Sequence, residues 1–269
     1  MKVVLFCGGL GTRIREYSET IPKPMIPVGN QPILWHIMQY YSQYGHSDFV
    51  LCLGYKANII KEFFLNYPAH AFSDCVVSGF GSNVQLLNQP AADWRVTLID
   101  TGIWRNIGER LWAVRDQLRG EEMFLANYSD GLTDVNLDDM IDRFKKSGKL
   151  ACFLATRPAM TYHLADIAPD GLVREIRSSD RSDIWINGGY FLLRREIFDY
   201  MQEGEELVLQ PFQRLIEANQ LIAYKYEGFW RAMDTLKDRQ ILEDMIERGE
   251  MPWRAAGSNR KTGELLLAV

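Results

Sequence analysis

The chain opens with an apolar run, Val3-Val4-Leu5-Phe6-Cys7, that passes directly into Gly8-Gly9-Leu10-Gly11-Thr12-Arg13. No other feature restricts the fold as much. A short apolar run ended by glycine reads as a buried strand, because it stops before a helix could form. The glycines that follow let backbone N–H groups approach an anion closely, since no Cβ stands in the way. Arg13 adds full positive charge there, and Pro22-Lys23-Pro24-Met25 brings a second cation nearby. Prolines on both sides restrict the backbone around Lys23 and reduce the cost of ordering its ammonium. The simplest reading is a nucleoside triphosphate site at the first strand end of an α/β sheet. The competing readings are a ligand-free tight turn and a solvated lysine in an extended loop.

Two common phosphate motifs do not fit. The dinucleotide fingerprint needs a third glycine after G-x-G-x-x, but Gly9-Leu10-Gly11-Thr12-Arg13 is followed by Ile14. A Walker loop needs Gly-Lys before Ser or Thr, whereas Gly148-Lys149 is followed by Leu150. Net charge is −5 over 269 residues, with no long basic run. That excludes the basic footprint of a nucleic-acid binder, so the cations near Gly11 serve a small anion. The four cysteines (Cys7, Cys52, Cys75 and Cys152) form no C-x-x-C pair, which argues against a zinc ribbon. Few cysteines, no export signal and no membrane-length apolar stretch lead to a cytoplasmic expectation.

The hydrophobic pattern predicts helices at Pro32–Tyr41, Asn58–Tyr67, Leu111–Leu118, Asp138–Ser147, Leu209–Ala218 and Thr235–Arg248. Strands are expected at Val3–Cys7, Phe49–Leu53, Arg95–Asp100, Glu122–Tyr128, Leu150–Thr156 and Ile222–Tyr226. Strand and helix alternate through the first half, the order of a parallel sheet with crossovers. Beyond Thr156, short strands at Leu164–Ile167, Val173–Ile176 and Trp185–Leu193 suggest a mostly antiparallel half. Ala69–Asp93 reads as a peripheral insertion. We expect one domain over 1–254, with a nucleotide-binding half at 1–150, an acceptor-binding half at 151–234 and a tail at 255–269.

Asp130 follows an apolar strand, and Asp234 lies between a strand and a helix. Two carboxylates from distant strand ends are a usual way to hold Mg²⁺, which takes one or two protein oxygens plus substrate phosphates. Asp234 fits a helix N-cap equally well, and Asp130 a turn. Arg110 opens a helix and reads as a surface arginine or a ligand contact. Asn187-Gly188-Gly189 marks a bulge or a close backbone approach by a ligand.

Taken together, Gly8-Gly9-Leu10-Gly11-Thr12-Arg13, Pro22-Lys23-Pro24-Met25, Asp130-Gly131, Asn187-Gly188-Gly189 and Met233-Asp234-Thr235 resemble the sugar-1-phosphate nucleotidylyltransferases. Trp35-His36-Ile37-Met38 and Gly228-Phe229-Trp230 point to their cytidylyltransferase branch. The resemblance runs from Met1 to Arg254. It implies a Rossmann-like, GT-A-like α/β fold: a mixed, mainly parallel sheet flanked by helices, with a smaller antiparallel sugar-binding lobe. By the same resemblance, Gly8, Gly9, Gly11, Thr12, Arg13, Lys23 and Arg110 bind the nucleotide. Asn187 and Gly188 contact the sugar, and Asp130 and Asp234 hold Mg²⁺. Arg13, Lys23, Asp130 and Asp234 form the catalytic set. The substrates implied are CTP and a sugar 1-phosphate, glucose 1-phosphate first, and self-association into a homo-oligomer is expected by analogy.

One departure stands out. The Glu-Lys-Pro segment that usually grips the sugar phosphate is replaced here by Arg174-Glu175-Ile176-Arg177-Ser178-Ser179-Asp180-Arg181. Arg177 or Arg181 is the expected substitute for the missing lysine, although a guanidinium fork and an ammonium point charge are not equivalent. The acceptor is therefore open to another sugar phosphate, a polyol phosphate or a phosphonate. UTP or dTTP in place of CTP is the second reading, and a non-catalytic nucleotide-sugar sensor the third.

Overall fold

The computed structural model describes residues 1–67, 74–87, 93–158, 163–178 and 184–255. Seven strands build the central sheet: β1 (Lys2–Phe6), β2 (Asp48–Leu53), β3 (Arg95–Asp100), β4 (Met123–Asn127), β5 (Ala151–Thr156), β6 (Ile186–Arg194) and β7 (Leu221–Tyr226). Their spatial order is β7-β5-β6-β4-β1-β2-β3. All neighbours are parallel except those of β6, which runs antiparallel to both β5 and β4. The C-terminal ends of six strands and the N-terminal end of β6 therefore share one edge. β1 sits between two parallel partners, with Val4 opposite both Val50 and Ala126. Both of its faces are covered, which is why Val3, Val4 and Leu5 are all apolar and fully buried.

Helices α1 (Ile33–Gln43) and α4 (Leu137–Ser147) pack one face, through Ile37, Tyr40, Tyr41, Met140 and Phe144. Helices α3 (Ile107–Ala113) and α5 (Gln210–Glu217) pack the other, through Leu111, Phe212 and Leu215. In the chain α2 (Ala57–Leu65) lies between α1 and α3, and α6 (Leu236–Glu247) follows α5. Local chemistry sets the ends of α4. Asn136 caps its start, Asp138 and Asp139 face the positive end of the dipole, and Gly148 at φ +63° stops it. None of the described helices is long and apolar enough to cross a membrane.

Two expectations change. The predicted helix Leu111–Leu118 begins earlier, because Asn106 and Glu109 form a capping box; it then tightens into a 3₁₀ turn at Arg115–Leu118. The strand expected at Trp185–Leu193 in a mostly antiparallel half is antiparallel to both its neighbours, but it lies in the middle of the central sheet as β6. Gly188 to Leu193 are all buried, so this segment requires cover on both faces. Four small antiparallel ribbons remain apart among the described residues: Pro27–Val28 with Gln31–Pro32, Gly131–Thr133 with Trp230–Ala232, His163–Ile167 with Val173–Ser178, and Cys75–Ser78 with Asn83–Leu86. The last is the described part of the insertion expected at Ala69–Asp93. The tail expectation for 256–269 lies outside the described residues. Just before it, a short helix, Pro252–Ala255, buries Trp253 in the core.

Candidate active site

The glycine turn after β1 rests on a buried guanidinium. Arg110, on α3, reaches under the ends of β1, β2 and β3. Its Nη1 donates to Leu53 O (3.1 Å), Thr101 Oγ1 (2.7 Å) and Gly102 O (2.9 Å). Its Nη2 donates to Gly8 O (3.0 Å) and Ile103 O (3.2 Å). Arg110 thus fixes the turn from below, with both terminal nitrogens bonded to protein acceptors. Gly8 is buried against it, whereas Gly9 is exposed and has open space where a side chain would be. Gly11 takes φ +64° and packs close to Lys23 Cβ and Ser18 Cβ, a geometry that favours glycine. Thr12 and Arg13 follow on an exposed 3₁₀ turn.

Four charged groups converge beside this turn. Lys23 Nζ lies 2.6 Å from Asp130 Oδ2 and 2.7 Å from Asp234 Oδ1. Arg13 Nη1 lies 2.8 Å from Asp234 Oδ2. The lysine is largely buried, and its backbone is held in a 3₁₀ turn between its prolines, with Met25 N donating to Pro22 O. Burial opposes the ammonium, but the two carboxylates outweigh it and hold the Lys23 pKa above the ordinary lysine value. Burial pushes the Asp130 carboxyl up, against the pull of Lys23. Asp130 is aimed by Ser129, which takes φ +64° and whose N–H donates to Asn127 Oδ1 at 2.7 Å. A two-stranded ribbon, Gly131–Thr133 with Trp230–Ala232, then brings Asp234 alongside, and Met233 N donates to Asp130 O. Asp234 is not the cap of α6. Thr235 is, through a capping box with Asp238, which leaves the Asp234 carboxylate to the cations.

A cleft of about 370 Å³ opens over Gly9, Gly11, Arg13, Lys23 and Asp130. Asn106, Ile107, Tyr128 and Glu206 form its other wall. Glu206 was not legible in the sequence; it accepts from Ile107 N at 3.3 Å, and burial pushes its carboxyl up. Asn187 sits behind Tyr128, donating to its hydroxyl at 3.2 Å and accepting from Gly189 N at 2.9 Å. Gly188 O accepts from Trp230 Nε1 at 2.8 Å. The Asn-Gly-Gly stretch faces a register shift in β5, so the bulge is real, and the rings of Tyr128 and Trp230 make the close approach.

The structure does not bring Arg177 to the cleft. It lies on the exposed ribbon, 3.7 Å from Glu175. Arg181 lies outside the described residues. Another cation lies at the same sheet edge: Arg157, just past β5, stacks on Trp185 at 4.2 Å and pairs with Glu227 at 3.4 Å. An Arg-Pro at a strand end was the available signal for it.

The family model for nucleotidyl transferases matches residues 2–238. The chain belongs to the nucleotidyl transferase family. It is an enzyme of that class. This nucleotidyl transferase is 38% identical over 256 residues to the glucose-1-phosphate cytidylyltransferase of Salmonella typhimurium, covering 94% of this chain and 99% of that one. Among solved structures, it resembles HddC from Yersinia pseudotuberculosis complexed with GMP-PN, with a TM-score of 0.64 at 20% identity, over 91% of this chain and 99% of that one. It also resembles UDP-glucose pyrophosphorylase complexed with UDP-glucose, with a TM-score of 0.64 at 13% identity, over 92% and 98% of the two chains. These structural likenesses bear out the fold: a GT-A-like, mixed, mainly parallel sheet flanked by helices, with small antiparallel additions.

Proposed function

We propose that this nucleotidyl transferase moves the nucleotidyl group of a nucleoside triphosphate, CTP in the first place, onto a sugar 1-phosphate and releases pyrophosphate. One observation carries the reading: Arg13, Lys23, Asp130 and Asp234 meet within 2.6 to 2.8 Å of one another's charged atoms, beside the glycine turn. A phosphate oxygen of the acceptor attacks the α-phosphorus in line. The new bond is O–Pα, and the bond from Pα to the bridging oxygen of pyrophosphate breaks. The attacking phosphate is already ionised, so no general base is needed, and catalysis is positioning and charge neutralisation.

Arg13 is the exposed cation of the set, free on its solvent side to turn from Asp234 to the triphosphate. Lys23 is the anchored one. Gly9 and Gly11 of the turn line the same cleft, and Arg110 fixes that turn rather than gripping phosphate. The donor set fits Mg²⁺: two carboxylates converge on a point where a cation, the Lys23 ammonium, already sits. Asp130 and Asp234 would hold the ion, which when bound offsets the charge growing on pyrophosphate. Asn187 and Gly188, behind Tyr128, are on the acceptor side. With Arg177 away from the cleft, Arg157 at the end of β5 is our candidate cation for the acceptor phosphate.

The test is pyrophosphate release with CTP, UTP, dTTP and GTP against a panel of sugar phosphates. CTP with a sugar 1-phosphate is expected to lead. Asp130→Asn, Asp234→Asn and Arg13→Ala are each expected to lower kcat by roughly 10²–10³ while the protein stays folded. Folded protein with no turnover for any pair would overturn the reading. Carboxylate variants that bind nucleotide weakly in a chain that never turns over would favour the sensor.

A further inference from the structure

We propose that the Lys23 ammonium is the chain's own occupant of the divalent-cation position, so that a divalent ion gains the site together with the triphosphate and not before it. This rests on the reading that Asp130 and Asp234 hold Mg²⁺. Its basis is the double contact of one Nζ: 2.6 Å to Asp130 Oδ2 and 2.7 Å to Asp234 Oδ1. The second oxygen of Asp234 is also taken, by Arg13 Nη1 at 2.8 Å. Two acids and two bases thus balance one another. No group of three or more acidic, histidine or cysteine side chains able to hold a metal exists among the described residues.

The ammonium fills this position because of how it is mounted. Pro22 and Pro24 fix the backbone, and the side chain is only 12% exposed. A dication arriving alone would have to take the same carboxylate oxygens while the Lys23 charge stayed within a few ångströms. That repulsion is uncompensated, because Asp130 and Asp234 are the carboxylates with which the lysine pairs. A triphosphate supplies another anion. The flexible stem of lysine lets Nζ swing to a phosphate oxygen while its backbone stays fixed, and Arg13 does the same from the other side. The two carboxylates are thereby released to the divalent ion that arrives with the nucleotide. By linkage, nucleotide then tightens the ion, and the ion tightens nucleotide, by one common factor.

The experiment measures Mn²⁺ binding to the nucleotide-free full chain, by loss of the free-ion electron paramagnetic resonance signal and by the shift in melting temperature. The proteins are wild type, Lys23→Met, Lys23→Gln and Lys23→Met with Asp130→Asn. Both lysine variants are expected to bind Mn²⁺ at least tenfold more tightly than wild type, and to gain melting temperature with it. The added Asp130→Asn is expected to reverse both effects. Using two lysine variants guards against one of them misfolding. Wild type that binds Mn²⁺ as tightly as the variants would overturn the proposal, as would variants that bind no ion. In that last case pyrophosphate release in chelator tells the two readings apart. Turnover lost in chelator leaves the metal assignment standing and removes only the role of Lys23, whereas turnover kept in chelator removes both.

Discussion

A Cβ built on Gly8 would lie 1.9 Å from Arg110 Nη1, and one on Gly54 would lie 2.8 Å from the same atom. Gly8 is therefore accounted for by a protein cation, and Gly54 by that cation together with the carbonyl oxygens of Gly102 and Gly8, with no need of a ligand. Arg110 cannot retreat, because its guanidinium is committed to backbone oxygens at the ends of β1, β2 and β3. Gly8→Ala is expected to cost about 1–3 kcal/mol, as an overpacked core position does. Arg110→Met is expected to cost about 3 kcal/mol, because it leaves buried carbonyls without their donor. In the double variant the clash disappears, so its cost should fall clearly below the sum. Urea unfolding of the three variants checks this; strict additivity would mean that Gly8 and Arg110 do not share a space.

At the scale of elements, the two-stranded ribbon Gly131–Thr133 with Trp230–Ala232 and the cap of α6 decide where the acids point. Thr235 takes the capping role through its bonds with Asp238, so Asp234 is left to pair with Arg13 and Lys23. Thr235→Ala is expected to cost about 1 kcal/mol of stability, and to lower kcat as Asp234 is drawn into the vacant cap. Denaturation and steady-state rates on the same preparations check the two together. The sequence pattern carried most of these elements, because period and punctuation are local. The apolar run into glycine placed β1, and the Asp-rich start and Lys-rich end placed α4. It did not carry the pairing. Nothing near Trp185 says that β6 lies between β4 and β5, since strand partners are chosen by contacts far along the chain. Nor did it separate Asp234 from Thr235 as the cap, because both residue types serve at a helix start. The convergence of Lys23 on two acids was legible only through the resemblance, and the role of Arg110 beneath the turn was not legible at all.

At the scale of the molecule, the end of the described chain is tied to the segment that carries Lys23. His36 on α1 is fully enclosed. Its Nε2 donates to Val28 O at 2.9 Å, and its Nδ1 accepts from Trp253 Nε1 at 3.4 Å. Val28 belongs to the hairpin just after Lys23-Pro24-Met25, and α6 holds the same hairpin through Arg239 Nε to Pro27 O and Gly29 N to Glu243 Oε2. The histidine has to be neutral for both bonds, since a proton on Nδ1 would face the Trp253 N–H. Burial accordingly drives its pKa from 6.5 down to about 4. A histidine depressed in the folded state binds fewer protons there than in the unfolded chain. Its contribution is therefore intact above pH 6.5 and is lost as pH falls toward 4. That shift corresponds to about 3 kcal/mol. Gln at this position keeps a donor for Val28 O and does not titrate. Wild type is expected to lose about 3 kcal/mol more than His36→Gln between pH 7 and pH 4, read from urea midpoints at steps of pH. A difference between the two proteins that stays constant across this window would show that His36 titrates as freely as it does in the unfolded chain, and that Trp253 does not depend on its neutral ring.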